Sequence, residues 1–426
     1  MRIKRTLPPA AAPIYLRDLL SGILAIHRGQ QELDRFEAEL KDYFHVKYCF
    51  LVSSGKAALT LILNSLKELY PHKKDVLIPA YTCYSVPSAI VRARLNIQPC
   101  DMDSRRLDFD YTQLSNRLHP LNPEPNKPNK LKEPNKPKQP NELNNSLLCI
   151  IPTHLFGIPS DIERLHSILG DTDVVIVEDA AQAMGGKWKG KHLGTVGDVS
   201  FFSLGRGKAL STIEGGVILT SRDDIAKKIS LHLNQIPRYT ILELLKLITE
   251  AVSLTLFMHP NLFWLPKSLP FLRLGETIYD PVFKIRKMSS FQAGLARSWQ
   301  AKLEKFQKIR KMNSTTWSKL INDFETHELS AISQPPDADL IRFPVRVENP
   351  LLKKSILRQS EQKGHGIMTT YPDAIHGIPA LKKMFKNQEF PAARQYSQEL
   401  ITLPIHPYVL RNDTKSIKAS LQQRTQ

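Results

Sequence analysis

Lys208 lies in a glycine-rich segment, FFSLGRGKALSTIEGG (201–216), directly after an apolar run that predicts a β-strand. Glycines on both sides of this lysine indicate tight turns of the backbone around a bulky group. A lysine on a solvated surface normally has polar neighbours, whereas the neighbours of Lys208 are small. An enclosed lysine amine can bond covalently to a carbonyl group, so the segment suggests nucleophilic catalysis.

Other chemically useful groups also follow strand-like runs. The run 173–177 is followed by Glu178 and Asp179, and the run 198–202 is followed by Ser203. A small-residue turn, SSGKAAL (53–59), follows a further run and enters a helical pattern, where free backbone N–H groups and the helix dipole suit a phosphate. Ligands of open α/β sheets gather at the carboxyl ends of strands, so we expect these groups to lie together.

An enclosed lysine, a carboxylate after a buried strand and a phosphate-binding turn are together what pyridoxal phosphate requires. The lysine amine forms a Schiff base, the carboxylate keeps the pyridine nitrogen protonated, and the turn holds the phosphate. Each feature alone has a structural explanation, since an acidic residue after a strand is commonly a helix cap and a Ser-Gly pair is commonly only a turn. Their joint occurrence in this order favours the functional interpretation.

Short apolar runs alternate with helical patterns over most of the chain, which predicts an α/β protein with a mostly parallel sheet covered on both faces. After about residue 290 the pattern changes to a long polar helix and shorter pieces. We therefore predict a large cofactor-binding domain over 1–288 and a smaller C-terminal α/β domain over 289–426.

Two segments differ from this alternation. Residues 120–146 are rich in proline, asparagine and lysine, contain EPNKP twice, and predict a disordered surface loop. Residues 240–275 are mostly apolar, but charged residues and prolines interrupt them too often for a membrane span. One hypothesis is a helix packed on the protein's own dimer interface or over the active site. The other is a patch on the cytoplasmic membrane face, made with Phe263, Trp264 and Phe271.

The composition restricts the class of protein. The 426-residue chain has 59 lysines and arginines against 41 acidic residues, a net charge of +18 that suits nucleic acid, anionic membranes or phosphorylated small molecules. Zinc-finger spacing and an RNA-binding aromatic signature are both missing, so we expect no nucleic-acid partner. The four cysteines are scattered, which predicts free thiols and no metal site. The basic start of the sequence lacks the apolar run of a secretory signal, so we expect a cytoplasmic protein.

Several motifs make the chain recognisable. They are VSSGKAAL (52–59), IPAYTCYSVPSAI (78–90), IPTHLFGIPSDI (151–162), the long segment 177–216 and FPAARQYSQELITLPIHP (390–407). In this order they resemble the DegT/StrS family of pyridoxal-phosphate-dependent sugar aminotransferases. The resemblance implies a fold type I architecture, a homodimer and pyridoxal 5'-phosphate as cofactor.

The resemblance also implies roles for single residues. Lys208 corresponds to the Schiff-base lysine, Asp179 to the partner of the pyridine nitrogen, and Gln182 to the residue near the ring hydroxyl. The remaining candidate cofactor-binding positions are Ser54, Gly55, Lys56, Cys83, Tyr84 and Ser203. His154 and His406 lie in family motifs, and a structural hydrogen bond explains each at least as well as catalysis does.

Three positions depart from the family pattern. Lys56 replaces a threonine after the Ser-Gly turn, and could bind phosphate or point to solvent. Cys83, with Tyr81 and Tyr84 beside it, stands where an aromatic residue often stacks on the cofactor ring. Ile285 replaces the asparagine of a segment by which a partner subunit reaches the phosphate.

The leading functional hypothesis is an aminotransferase that moves an amino group from glutamate to a keto-sugar, carried on a nucleotide, for surface polysaccharide or glycoconjugate biosynthesis. A second hypothesis is a non-catalytic regulatory protein that keeps the fold and the cofactor. Nucleic-acid binding has only the net charge in its favour. A dehydratase of this family is disfavoured because those members carry a histidine in place of the lysine. The sequence does not identify the sugar, the aminated carbon, the donor or the carrier of the sugar.

Overall fold

The computed structural model of this protein describes residues 4–119, 143, 145–269, 274–275, 277–323, 328–335 and 338–422. Its strands, in chain order, are β1 (Tyr48–Val52), β2 (Asp75–Pro79), β3 (Asn96–Cys100), β4 (Leu147–Ile150), β5 (Val175–Asp179), β6 (Lys187–Trp188), β7 (Lys191–His192), β8 (Val199–Ser203), β9 (Gly216–Thr220), β10 (Leu329–Ala331), β11 (Phe343–Val347) and β12 (Leu400–Leu403).

Its α-helices are α1 (Leu16–Arg28), α2 (Gln30–Phe44), α3 (Gly55–Leu69), α4 (Ser85–Arg92), α5 (Tyr111–Leu118), α6 (Ile162–Leu169), α7 (Asp223–Gln235), α8 (Ile241–Phe257), α9 (Trp264–Lys267), α10 (Ser290–Leu295), α11 (Trp299–Asn322), α12 (Pro350–Lys363), α13 (Pro391–Glu399) and α14 (Arg411–Gln422).

The large sheet has seven strands among the described residues, in the order β1-β9-β8-β5-β4-β2-β3. Strand β9 is antiparallel to both of its neighbours, β1 and β8, and the remaining pairs are parallel. Strands β2, β4, β5 and β9 are buried along their whole length, as expected for apolar runs covered by helices on both faces. The prediction of an α/β fold with a mostly parallel sheet is confirmed.

Helix α3 fixes the entrance of the site because it begins directly after β1. The Ser54 side chain caps it by accepting a hydrogen bond from the Ala57 N–H at 3.1 Å. Ten of the fifteen residues of α3 are buried, so the helix packs deep against the sheet and holds its N-terminus in place.

A second, antiparallel sheet has the order β10-β11-β12. Helix α11 begins beside the large sheet, where Trp299 and Leu303 pack with Phe36 and Phe202. Near the end of the helix, Trp317 packs in a cluster that contains residues of both sheets. The division into two domains stays a prediction.

The structure describes the two segments that differ from the α/β pattern, 120–146 and 240–275, to different extents. The predicted loop at 120–146 lies almost entirely outside the described residues. In the segment 240–275, α8 packs its inner face, Leu247 and Ala251, in a cluster with Leu19 of α1 and Phe291 of α10. Among the helices that the structure describes, none combines the length and the apolar character needed to cross a bilayer.

Candidate active site

A cavity of about 200 Å³ lies at the carboxyl ends of β1, β5 and β8. Eight of the nine predicted site residues line it: Ser54, Gly55, Lys56, Cys83, Asp179, Gln182, Ser203 and Lys208. The sheet topology explains this convergence, because parallel neighbouring strands end at the same edge and their following residues meet there.

Asp179 is the last residue of β5 and is buried, with a carboxylate oxygen that accepts a 3.1 Å hydrogen bond from the Ala181 N–H. Burial raises the pKa of this carboxyl above its ordinary value, and the nearby Lys208 cation opposes that effect. A carboxylate in this position would be stabilised by a protonated ring nitrogen.

Lys208 follows β8 in the turn 204–209 and is partly accessible from the cavity. Burial lowers the pKa of its ammonium, Cys83 and Asp179 act in the opposite direction, and Arg342 adds to the lowering. A lowered pKa increases the fraction of neutral amine at a given pH, which is the nucleophilic form.

Two glycines near Lys208 show the tight backbone turns that the sequence predicts. Gly207 has φ +71°, in the left-handed region that favours glycine. A Cβ at Gly216 would lie 2.3 Å from the Ser54 carbonyl oxygen, so a larger residue would displace the turn that begins α3.

The N-terminus of α3 fits a phosphate group. Its capping residue, Ser54, and Ser203 both face the cavity, and a Cβ at Gly55 would lie 3.0 Å from the Ser203 Cβ. The absence of a side chain at Gly55 therefore keeps the cradle between the two serines open. Free N–H groups, two hydroxyls and a helix dipole form a donor set suited to an anion. With the Asp179 and Lys208 groups in the same cavity, the residues fit the pyridoxal phosphate that the sequence predicts.

A family comparison agrees with this geometry. The model of the DegT/DnrJ/EryC1/StrS aminotransferase family matches residues 15–239 and 275–422. The chain belongs to this family.

Individual relatives of the family are distant. GDP-perosamine synthase of Escherichia coli O157:H7 is 27% identical over 207 residues, 49% of this chain and 49% of that protein. The chain thus matches about half the length of this relative. The erythromycin biosynthesis sensory transduction protein EryC1 of Saccharopolyspora erythraea is 23% identical over 92% of this chain and 89% of its own. Among solved structures, DesV of S. venezuelae has a TM-score of 0.68 at 20% identity, covering 92% and 90% of the two chains, which shows a shared fold.

Gln182 has its amide orientation fixed by two partners. Its Oε1 accepts a hydrogen bond from the Phe156 N–H at 3.2 Å, and its Nε2 donates to the Tyr371 hydroxyl at 3.0 Å. Burial raises the pKa of Tyr371 well above its ordinary value, so the phenol keeps its proton. Sequence analysis missed Tyr371. It comes from the C-terminal part of the chain, in the segment TTYPDAIHGIP (369–379), whose proline and glycine mark a loop and give no sign of a contact with Gln182.

Arg342 is a second residue near the site that the sequence analysis missed. It precedes β11, donates to the Met368 sulfur at 3.3 Å, and lies within electrostatic reach of Lys208 and Tyr371. Among the described parts of the chain, no ion pair joins Arg342 to a carboxylate. A single arginine between apolar strand residues gives no sequence signal, because its position depends on how the small sheet packs.

Cys83 and Tyr84 take different positions in this family member. Cys83 lines the cavity. A cysteine therefore stands at the position where family members often have an aromatic residue that stacks on the cofactor ring. Tyr84 does not line it: its hydroxyl donates to the Asp373 carbonyl at 3.0 Å and accepts from the Asp373 N–H at 2.8 Å. The Asp373 backbone engages both hydrogen-bonding positions of the Tyr84 hydroxyl, and a contribution of Tyr84 to the cofactor site stays a prediction.

Lys56 stands between the cofactor cavity and a neighbouring cavity of about 340 Å³ that it also lines. Its ammonium lies 4.5 Å from the centre of the Phe283 ring and 3.8 Å from a carboxylate oxygen of Asp280. These contacts direct the cation toward the second cavity rather than toward the phosphate cradle.

Glu178 and His154 form a structural pair beneath the site. Both side chains are fully buried, and the Glu178 Oε2 accepts from the His154 Nε2 at 2.9 Å. The His154 Nδ1 accepts from the Ser160 N–H, which leaves both ring nitrogens engaged. Burial raises the pKa of Glu178, but His154 and the N–H groups of Gly194 and Gly197 outweigh it and the pKa is lowered. The geometry supports the structural explanation of His154.

The four cysteines are free thiols, as the sequence analysis predicts. Cys49, Cys100 and Cys149 are buried free thiols, and Cys83 is half-buried. In the described ranges, no cluster of histidine, cysteine and acidic side chains could hold a metal ion.

Proposed function

We propose that this protein is a pyridoxal-phosphate-dependent aminotransferase that transfers an amino group from glutamate to a nucleotide-linked keto-sugar. The observation that carries the proposal is the meeting of Lys208, Asp179 and the Ser54–Gly55 cradle in one cavity. Membership of an aminotransferase family supports the reaction class. The sugar substrate is supported by relatives such as GDP-perosamine synthase.

Each residue of the cavity has a separate role in the proposed reaction. When bound, pyridoxal phosphate accepts the electrons left on the carbon from which a proton is removed. Asp179 would hold the protonated pyridine nitrogen, and Ser54, Ser203 and the first N–H groups of α3 would hold the phosphate. Lys208 would accept and return a proton at its Nζ, and the lowered pKa of this amine suits that role. Gln182, fixed by Phe156 and Tyr371, would orient the ring.

The direct experiment is an amination assay. The purified protein, loaded with pyridoxal phosphate, is incubated with glutamate and a panel of nucleotide-linked keto-sugars, and amino-sugar products are detected by mass spectrometry. We expect a product with the parent protein and with the Lys189→Ala control, whose lysine is exposed, and none with Lys208→Ala. Equal product with Lys208→Ala would refute the assignment.

A regulatory protein of the same fold is the second candidate. The half-buried Cys83 in the cavity wall favours it, and the relative EryC1 carries the name of a sensory transduction protein. The two candidates differ in turnover: a regulator would retain the cofactor through Lys208 and yet release no glutamate-derived 2-oxoglutarate with any keto-sugar of the panel.

The proposal includes a homodimer. Helix α1 supports it with an exposed aliphatic face formed by Leu16, Leu20, Ile23 and Leu24. Sedimentation equilibrium tests this part: we expect Leu20→Glu to shift the protein toward the monomer mass. The control Leu410→Glu, on an exposed residue before α14, should leave the mass unchanged.

The proposed location is the cytoplasm, as the sequence analysis predicts. The segment 240–275 is the proposed point of peripheral contact with a membrane, and the support for it is the exposed aliphatic side chains of α8. Subcellular fractionation of cells that express the protein would test both statements.

A further inference from the structure

The segment 240–274 lies outside the family match, which stops at residue 239 and resumes at 275. Its described residues are ordered parts of the molecule. The Pro260 carbonyl accepts a hydrogen bond from the Thr6 N–H at 2.8 Å, and Lys267 forms a 2.7 Å ion pair with Glu361. An insert held on the protein body at several points can present a defined surface.

The outer face of α8 is that surface. Ile241 is 80% exposed and Leu242 is 78% exposed, and the stripe continues along the helix through exposed Leu245, Thr249, Val252 and Leu256. These residues recur at the three- and four-residue spacing of one helix face. Thr249 is the one polar side chain on the stripe. The inner face of α8 is already used for packing, so two faces of the helix are apolar, one buried and one exposed.

An apolar groove continues this surface on the side of α9. Its volume is about 430 Å³, and it is lined mainly by aliphatic and aromatic residues, among them Leu254, Phe257, Met258, Phe263, Leu265 and Leu269. A groove of this composition offers contacts to a hydrocarbon chain and few hydrogen bonds to a polar ligand.

The charges beside the stripe are predominantly positive. Glu243 pairs with Lys284 and Arg286, and Glu250 pairs with Arg206 and Lys246. Four cations against two carboxylates leave two positive charges in excess. Lys246 and Lys284 are about three-quarters exposed, so this excess faces solvent beside the apolar stripe.

We propose that α8 and its groove dock on an anionic lipid bilayer. The helix lies in the plane of the interface with its aliphatic stripe in the boundary between headgroups and acyl chains, and the lysines contact lipid phosphates. The groove accepts one hydrocarbon chain. The stripe lacks the aromatic and arginine anchors that dominate protein interfaces, and this favours lipid over a protein partner.

The structure also changes the residues assigned to membrane contact. Phe263 is only 5% exposed and lines the groove, so it does not reach a bilayer, and Phe271 lies outside the described residues. Trp264 is half-buried in α9, and its two sequence neighbours, Phe263 and Leu265, line the groove.

Vesicle flotation tests the docking. The full-length protein is mixed with phosphatidylcholine vesicles that contain or lack phosphatidylglycerol. We expect binding that requires the anionic lipid and weakens with added salt. The double variant Leu242→Glu/Leu245→Glu should lower the bound fraction by on the order of 10-fold. The matched control Leu351→Glu/Leu410→Glu changes two exposed leucines elsewhere and should bind like the parent.

Tryptophan quenching locates the contact. Vesicles with brominated acyl chains should quench the parent's fluorescence, and Trp264→Phe should remove most of the quenching without changing flotation. Trp188→Phe, in the hairpin β6–β7, should leave the quenching intact.

Three outcomes would overturn the proposal: no flotation of the parent with anionic vesicles, parental flotation of the Leu242→Glu/Leu245→Glu variant, or a lower sedimentation mass of that variant. The last result would assign the stripe to a second copy of the chain. Because flotation needs no turnover, failure of the docking and failure of the aminotransferase assignment are distinguishable.

Discussion

The amide of Gln182 and the hydroxyl of Tyr371 are joined by a 3.0 Å hydrogen bond across 189 residues of sequence. The bond connects the segment after β5 to the loop that precedes α13, and it fixes which way the Gln182 amide faces. We predict that Tyr371→Phe leaves the fold intact, lowers the free energy of unfolding by about 1 kcal/mol, and weakens cofactor binding. Chemical denaturation and cofactor titration measure the two effects. An unchanged cofactor affinity would mean that Gln182 needs no anchor.

Lys208 should be the point of covalent attachment of the cofactor. After borohydride reduction of the loaded protein, we expect the added mass on the peptide that contains Lys208, because Lys208 lines the cavity with Asp179, whereas the Lys56 ammonium lies near Asp280 and Phe283. Lys208→Ala should remove this adduct and leave the thermal midpoint close to that of the parent. An adduct on another lysine would contradict the assignment.

Asp179→Asn should separate binding from turnover. The amide preserves the shape of the side chain but cannot stabilise a protonated ring nitrogen, so we expect the cofactor to bind and kcat to fall by on the order of 10²–10³-fold. Steady-state kinetics and a cofactor titration on the same preparation check this. Loss of the cofactor together with kcat would indicate that Asp179 acts mainly in binding.

Glu178→Gln should destabilise the protein rather than alter its chemistry. The Glu178 carboxylate accepts hydrogen bonds from His154 and from the N–H groups of Gly194, Val196 and Gly197. An amide nitrogen in place of one oxygen would face donors, at a cost of about 1–3 kcal/mol. Urea denaturation measures the cost, and Glu163→Gln on an exposed glutamate is the control. An equal effect of both variants would exclude a special role for the Glu178 network.

His406 should make stability depend on pH. Its Nε2 donates to the Pro8 carbonyl at 2.7 Å, its Nδ1 accepts from the Tyr408 N–H, and burial lowers its pKa to about 4. Below pH 6.5 the unfolded chain binds a proton that the folded protein does not, so stability falls as the pH drops from 6.5 to about 4. The maximum loss is about 3 kcal/mol. His406→Gln should flatten this part of the profile of unfolding free energy against pH. An unchanged slope would show that other groups cause it.

The sequence by itself determined the α/β class and most of the cavity. Continuous apolar runs predicted buried strands, and a parallel sheet brings the residues after those strands to one edge. For that reason Ser54, Asp179, Ser203 and Lys208 could be placed together without coordinates. The small residues around Lys208 were equally informative, since Gly216 approaches the Ser54 carbonyl too closely for any side chain.

Only the tertiary structure decided which side chains reach the cavity from outside this strand pattern. Tyr84 follows Cys83 directly, yet the Asp373 backbone engages its hydroxyl. Tyr371 contacts Gln182, and Arg342 lies within electrostatic reach of Lys208, because of how the C-terminal part of the chain packs, and no local periodicity encodes that packing. The apolar residues of 240–275 likewise predicted a buried or lipid-facing helix, and only the packing of Leu247 and Ala251 showed which face remains exposed. The local sequence pattern specifies each helix or strand and the residues that follow a strand. Long-range contacts specify the direction in which each side chain points.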